Sequence, residues 1–277
     1  MEKNMNKSKT VNLIGRIIFV IIVLMIISGI LIYTSDRATI NNQYKINEAD
    51  LKIPIFLYHH IVKQESEIQF DYMQTTEETF EKQIDGLKKL GYHFISYQDL
   101  IDYKEGRKAI SKNSCVLTFD DGGEDIYTNA YPILQKENIP FTMFIITDSV
   151  GKDGCANWKQ LKEMQDSGLA LIASHSTNHT EFDKLTVEET LQNVNESYKT
   201  IEENLGEQKV KIFTYPYGLY SEEQLEPLKE AGYIINLTDN KINKSKNLNL
   251  YGLHRCYPLS DSTFKMELKI IYRSIRY

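Results

Sequence analysis

Beyond residue 50 the chain alternates short runs rich in β-branched and aromatic residues with longer stretches in which apolar positions recur every three or four residues. The runs 53–58, 92–96, 115–119, 141–147, 169–174, 209–215, 233–238 and 250–257 read as strands. Thr75-x-x-Glu78 forms a capping box that opens a helix, with Phe80, Ile84, Leu87 and Leu90 on one face and Gly91 at its end. Thr186-x-x-Glu189 opens another, whose apolar face carries Leu191, Val194, Tyr198, Ile201 and Leu205 before Gly206. Ser221-x-x-Gln224 starts a third that closes near Gly232, and the segment from Asp261 has a helical pattern with Phe264, Met266, Leu268, Ile270 and Ile271 available for burial. Repeated β/α units without a Gly-rich dinucleotide signature predict an α/β fold of the barrel type, not a Rossmann sheet.

The first fifty residues follow a different pattern. Residues 17–33 carry no charge, and with 11–15 around Arg16 they make an apolar stretch of about 20 residues, enough to span a bilayer. Lys3, Lys7, Lys9 and Arg16 precede it, whereas only Asp36 and Arg37 follow closely, which puts the basic flank in the cytoplasm. The expected layout is a cytoplasmic tail at 1–10, one transmembrane helix at 11–33, a polar linker at 34–50 and an extracytoplasmic domain at 51–277. A cleaved signal peptide is the rival reading, against which stands the lack of a small-residue cleavage site after the apolar run.

Composition narrows the partners. At 277 residues, 42% hydrophobic and 25% charged, the chain suits one large globular domain. Residues 38–277 hold 27 Lys and Arg against 36 Asp and Glu, a net of −9, which argues against nucleic acid. Cys115, Cys155 and Cys256 are too few and too scattered for a disulfide framework.

Three motifs carry candidate chemistry, each where a predicted strand stops. Thr118-Phe119-Asp120-Asp121-Gly122 puts two adjacent carboxylates at a strand end, the catalytic face of a β/α barrel. Paired acids there also cap loops, so a second feature is needed. It comes at His175-Ser176-Thr177-Asn178-His179, two of only six histidines, spaced so that both imidazoles can reach one point. A carboxylate and a His pair leave coordination positions for water, as hydrolytic metal sites do. Phe213-Thr214-Tyr215-Pro216-Tyr217-Gly218 is either a rigid turn or a groove wall that stacks on sugar rings and aims a backbone N–H at a reacting carbonyl.

In that order, TFDDG, HSTNH and FTYPYG resemble the catalytic domain of the polysaccharide deacetylases, the NodB-homology or carbohydrate esterase 4 family, over about Leu51 to Tyr257. Phe56-Leu57-Tyr58-His59-His60-Ile61 and the YPYG form of the third motif are most similar to the poly-β-1,6-N-acetylglucosamine N-deacetylases of biofilm exopolysaccharide. The resemblance implies a distorted (β/α) barrel and a divalent ion, zinc with cobalt or nickel able to replace it, held by Asp121, His175 and His179. It implies Asp120 as general base, the Tyr217 backbone N–H as oxyanion donor, and hydrolysis of the N-acetyl amide of an N-acetylglucosamine polysaccharide. Tyr215, Pro216, Tyr217, Trp158 and His59 are expected along the substrate groove, with core packing the rival reading for Trp158.

Two departures stand out. Many members carry an arginine before the Pro-aromatic pair that orients the base; Thr214 stands there, and Arg255 is the candidate replacement from a neighbouring strand end. The late leucine-histidine motif that supplies the general acid is matched by Leu253-His254 alone, so His254 is the candidate acid. Peptidoglycan or chitin-like glycans are the alternative substrates. The alternative class is a non-catalytic glycan-binding protein on the same scaffold, which would be expected to have lost the base or a ligand; all four residues are present.

Overall fold

The computed structural model describes residues 51–67 and 73–258. The expected tail, membrane span and linker, and the helical pattern from Asp261, lie outside the described residues. Among the described residues no helix is long and apolar enough to cross a membrane.

In chain order the elements are β1 (Lys52–Ile53), β2 (Ile55–Tyr58), β3 (His60–Val62), β4 (Gln74–Thr76), α1 (Glu77–Lys89), β5 (His93–Phe94), α2 (Tyr97–Lys104), β6 (Ser114–Phe119), α3 (Tyr131–Lys136), β7 (Phe141–Ile145), α4 (Trp158–Asp166), β8 (Ala170–Ser174), α5 (Val187–Leu205), β9 (Ile212–Thr214), α6 (Leu225–Glu230), β10 (Ile234–Thr238), β11 (Asn243–Lys244) and β12 (Leu253–Arg255). The main sheet runs β12-β10-β9-β8-β7-β6-β2, with every neighbouring pair parallel. Its edges meet at a bridge between Phe56 and Cys256, where Leu57 N–H donates to the Cys256 carbonyl at 3.0 Å and Cys256 N–H to the Ile55 carbonyl at 2.9 Å. The result is a nearly closed, barrel-like α/β fold.

Strand alternation sorts the side chains. Phe119 of β6 faces outward, packed edge-on against Phe80 of α1 and Phe141 of β7, in a core shared with Cys115, Leu117, Ile84 and Leu87. Truncating a buried ring such as Phe80 to alanine costs about 3–5 kcal/mol. The barrel interior carries buried polar groups among its apolar ones. Arg255 of β12 touches both Thr118 of β6 and Thr214 of β9, strands that are not neighbours, so these side chains meet across the lumen. Tyr97, at the start of α2, donates its hydroxyl to Asn236 of β10 at 2.6 Å and is fully buried.

Most predicted elements are present, several of them shorter than read. The first helix starts one residue later than its capping box suggested. Thr76 is its N-cap, accepting the Thr79 N–H, and is also the last residue of β4, paired to Val62, so the helix starts only where the β3–β4 ribbon ends. The box at Ser221 and Gln224 forms, as does the one at Thr186 and Glu189. All three cysteines are free thiols.

Candidate active site

The site is assembled at the carboxyl ends of β6, β8, β9 and β12. The alternation that sends Phe119 outward sends Thr118 and Asp120 inward, and Asp120 is buried at 2% exposure. Arg255, also buried, donates from Nη1 to Asp120 Oδ1 at 2.6 Å and from Nη2 to Oδ2 at 2.8 Å. The same Nη2 donates to Thr214 Oγ1 at 2.7 Å and Thr238 Oγ1 at 3.0 Å, and the guanidinium lies 5.2 Å from the centre of the Phe144 ring. Burial by itself would raise the Asp120 carboxyl; the charges of Arg255 and then His175 outweigh it and hold Asp120 below the ordinary carboxylate range.

Asp121 does not continue the alternation. Its φ of 70° places it in the left-handed region, and Gly122 follows at 78°. A Cβ on Gly122 would meet Ile145 Cγ2 at 3.3 Å, so the turn needs glycine for both conformation and space. This turn swings the Asp121 carboxylate toward the loop after β8. There His175 Nε2 and His179 Nε2 each lie 3.4 Å from Asp121 Oδ1, and the three ligand atoms fall within 4.8 Å of one another.

The donor set fits a divalent cation. His175 Nδ1 is 2.9 Å from the Thr214 carbonyl, which can only accept, so Nδ1 carries the hydrogen and the Nε2 of the neutral ring offers a lone pair. That lone pair faces a carboxylate oxygen. Asp121 Oδ1 is itself buried, and apart from the two imidazoles 3.4 Å away it has no hydrogen-bond partner among the described residues. Electron-pair donors converging on one point, one of them an orphaned buried oxygen, are what a hydrogen-bonded core avoids and what a metal requires. Three protein ligands leave the coordination sphere open to water or substrate.

The third motif is split by burial. Tyr215 is packed against Phe182, Phe213 and Tyr220, and Pro216 is buried, so neither presents a face to a ligand. Of the three residues expected along the groove, Tyr215 and Pro216 are therefore the buried ones. Tyr217 is 65% exposed, its ring 4.5 Å from that of His179. It too is left-handed, at φ 59°. Asp121, Ser176, His179 and Tyr217 account for four of the six non-glycine residues with positive φ among the described residues, so backbone strain is concentrated here.

The remaining expected residues fall in separate places. His254 is half-buried, with Nδ1 2.9–3.0 Å from the Asp239 carboxylate. It precedes the inward-pointing Arg255 on β12. His59 follows β2 and lies parallel to Tyr257 at 6.2 Å; its Nδ1 is buried without a hydrogen-bond partner. Burial pushes the His59 imidazole down, against the charges of Asp120 and Asp121. Trp158 opens α4 behind its Asn157 cap and packs against the core. Unforeseen was the bracing around Asp121. Ala156 N–H donates to the Gly122 carbonyl at 2.9 Å, and Asp125 holds both His60 Nδ1 at 3.2 Å and Ile61 N–H at 2.6 Å. No sequence spacing signals such long-range bonds.

The polysaccharide deacetylase family matches residues 107–235. A poly-β-1,6-N-acetyl-D-glucosamine N-deacetylase of Staphylococcus aureus (strain MSSA476) is 31% identical over 252 residues, covering 86% of this chain and 83% of that protein. Among solved structures, the Streptococcus pyogenes deacetylase PplD in complex with acetate aligns with a TM-score of 0.71 at 26% identity, over 80% of this chain and 99% of that one. IcaB from Ammonifex degensii aligns with a TM-score of 0.69 at 26% identity, over 80% and 97%.

Proposed function

Because the chain belongs to the polysaccharide deacetylase family, we propose that it removes N-acetyl groups from a β-linked N-acetylglucosamine polysaccharide, specifically poly-β-1,6-N-acetylglucosamine, with a divalent metal held by Asp121, His175 and His179. The observation that carries this reading is the convergence of those three ligands beside a buried carboxylate, Asp120, clamped by Arg255. The relative in Staphylococcus aureus supports the choice of glycan.

A divalent cation bound there, zinc or in its place cobalt or nickel, supplies Lewis-acid polarisation of the amide carbonyl and lowers the pKa of water. Asp120, kept ionised by Arg255, takes the proton of the attacking water. The backbone N–H of Tyr217 stabilises the oxyanion. His254, oriented through Nδ1 by Asp239, delivers a proton to the departing nitrogen as the C–N bond breaks, leaving acetate and a free amine. The exposed Tyr217 ring offers a stacking face to a sugar beside the reacting amide.

The catalytic domain works outside the cell membrane, tethered by the apolar segment 11–33 through the linker 34–50. Such an anchor brings the site to a polymer at the cell surface. The test is acetate release from β-1,6-linked and β-1,4-linked N-acetylglucosamine oligomers side by side, with zinc, cobalt or nickel added. Faster release from the β-1,6 series is expected; preference for the β-1,4 series would redirect the assignment to peptidoglycan or chitin-like glycans.

A further inference from the structure

The two histidines of the metal site sit on a loop whose backbone is costly to hold. Within four residues, Ser176 and His179 both adopt left-handed conformations, at φ 75° and 58°. For a non-glycine residue that region is strained. The loop is not glycine-rich, and His179 must turn its ring toward Asp121 from that conformation.

Side-chain bonds to the loop come from one face of α5. Asn193 Oδ1 accepts the Thr177 N–H at 3.0 Å, and Asn193 Nδ2 donates to Thr177 Oγ1 at 2.9 Å. One turn further on, Ser197 Oγ lies 2.8 Å from Ser174 Oγ and donates to the Ser176 carbonyl at 3.3 Å. The chain continues into the loop: Ser174 Oγ accepts the Ser176 N–H at 3.1 Å and Ser176 Oγ accepts the His179 N–H at 2.9 Å. Asn193 and Ser197 are four apart, so both reach the loop from the same side of the helix. Elsewhere α5 buries Val194, Tyr198, Ile201 and Leu205, which tie it to the barrel core. Thr147 and Asp148 brace the opposite side through backbone bonds to the Ser176 and Thr177 carbonyls at 3.2 and 2.9 Å.

We infer that Asn193 and Ser197 are positioning residues for the metal site: they hold residues 174–179 in the strained conformation that turns His175 and His179 onto Asp121. Among the described residues their side chains hydrogen-bond to Ser174, Ser176, Thr177 and Asn178, not to Asp121, His175 or His179. Their contribution is to metal affinity, by presenting the ligands already arranged. This rests on the metal-site reading above and adds residues that the three motifs do not contain.

The test compares zinc dissociation constants, by competition with a chromophoric chelator, for wild type, Asn193→Ala, Asn193→Asp, Ser197→Ala and His179→Ala, alongside thermal unfolding of each metal-free protein. Asn193→Ala should bind zinc about tenfold or more weakly, the usual scale for groups that orient ligands, with metal-free unfolding within a few degrees of wild type. Asn193→Asp keeps an acceptor for Thr177 N–H and should fall between the two. Cobalt spectra of Asn193→Ala should show an altered d–d envelope, a change in ligand geometry that a loss of general stability does not produce. Zinc affinity within twofold of wild type in folded Asn193→Ala and Ser197→Ala would overturn the inference. If Asn193→Ala does not fold, Asn193→Asp and Ser197→Ala decide by the same criterion. Unchanged affinity in His179→Ala would instead sink the metal-site reading itself.

Discussion

Arg255 and Asp120, 135 residues apart in sequence, form a two-pronged ion pair in the barrel lumen at 2.6 and 2.8 Å. The position from which an arginine would be expected to reach this aspartate is occupied by Thr214, on β9. The arginine comes instead from β12, with β10 between, and its Nη2 donates to the Thr214 hydroxyl. The threonine thus receives the arginine it replaces. Three threonines, Thr118, Thr214 and Thr238, and the Phe144 face complete the pocket, so the guanidinium has little freedom to leave the carboxylate.

Arg255→Met removes the charge that offsets burial at Asp120. Burial alone raises a carboxyl, so the acidic limb of the pH–rate profile should move to higher pH, where the base is now partly protonated. Leaving Asp120 unpaired should also destabilise the fold by about 3–5 kcal/mol. Arg255→Lys keeps charge but not the fork, and should show a smaller displacement of the limb. Profiles at saturating metal, with thermal unfolding alongside, check both; an acidic limb that stays in place in Arg255→Met would show that the pair does not tune the base.

The proton donor is tested by His254→Ala, which should lower turnover by about 10²-fold or more with metal content unchanged. His59→Gln is the necessary comparison, since the half-buried His59 ring feels the charges of Asp120 and Asp121 whereas the His254 ring is engaged with Asp239. Near-normal turnover in His254→Ala together with a large loss in His59→Gln would transfer the role to His59.

What could be read in advance follows from the range of the forces involved. Strand and helix patterns express burial on one face, so the barrel and the helices α1 and α5 were legible, as were Asp120, Asp121, His175 and His179 at strand ends. Arg255 was legible only as a candidate, because its partner lies across the lumen and no local pattern records that. Tyr215 and Tyr217 look equivalent in sequence, yet strand geometry buries one and a left-handed turn exposes the other. The helix N-cap moved from Thr75 to Thr76 because a short ribbon, β3 with β4, extends the strand as far as Thr76, and three-residue strands carry too little pattern to be seen. The serine and asparagine contacts around the histidine loop are single hydrogen bonds between distant residues, invisible to periodicity.

Residues 1–33 should direct membrane attachment, and a protein beginning at Ala38 should be soluble and retain deacetylase activity. The basic flank and the uncharged span motivate this. Fractionation of native cells, with carbonate washing of membranes and immunodetection of the chain, provides the measurement. Recovery of a shortened, freely secreted form as the sole species would replace the anchor with a cleaved signal.

Asp120 and Asp121 are neighbours with different surroundings, and that difference predicts different failures. Asp120 follows the strand into the lumen, where Arg255 holds both of its oxygens; Asp121 turns left-handed, and its orphaned Oδ1 faces two imidazoles. Asn at position 120 is nearly isosteric, keeps an oxygen for the guanidinium and cannot take a proton. Asp120→Asn should therefore bind metal with near-wild-type stoichiometry and lose about 10²-fold or more in turnover. Asp121→Ala and His179→Ala each remove one of three ligands, and should lose metal affinity and turnover together, with partial recovery at high metal concentration. Chelation of the wild type should reproduce their defect, reversibly. Metal content by elemental analysis and acetate release on the purified variants separate the two roles. An Asp120→Asn protein that arrives without metal, or one that turns over at the wild-type rate, contradicts the division of labour argued from these two environments.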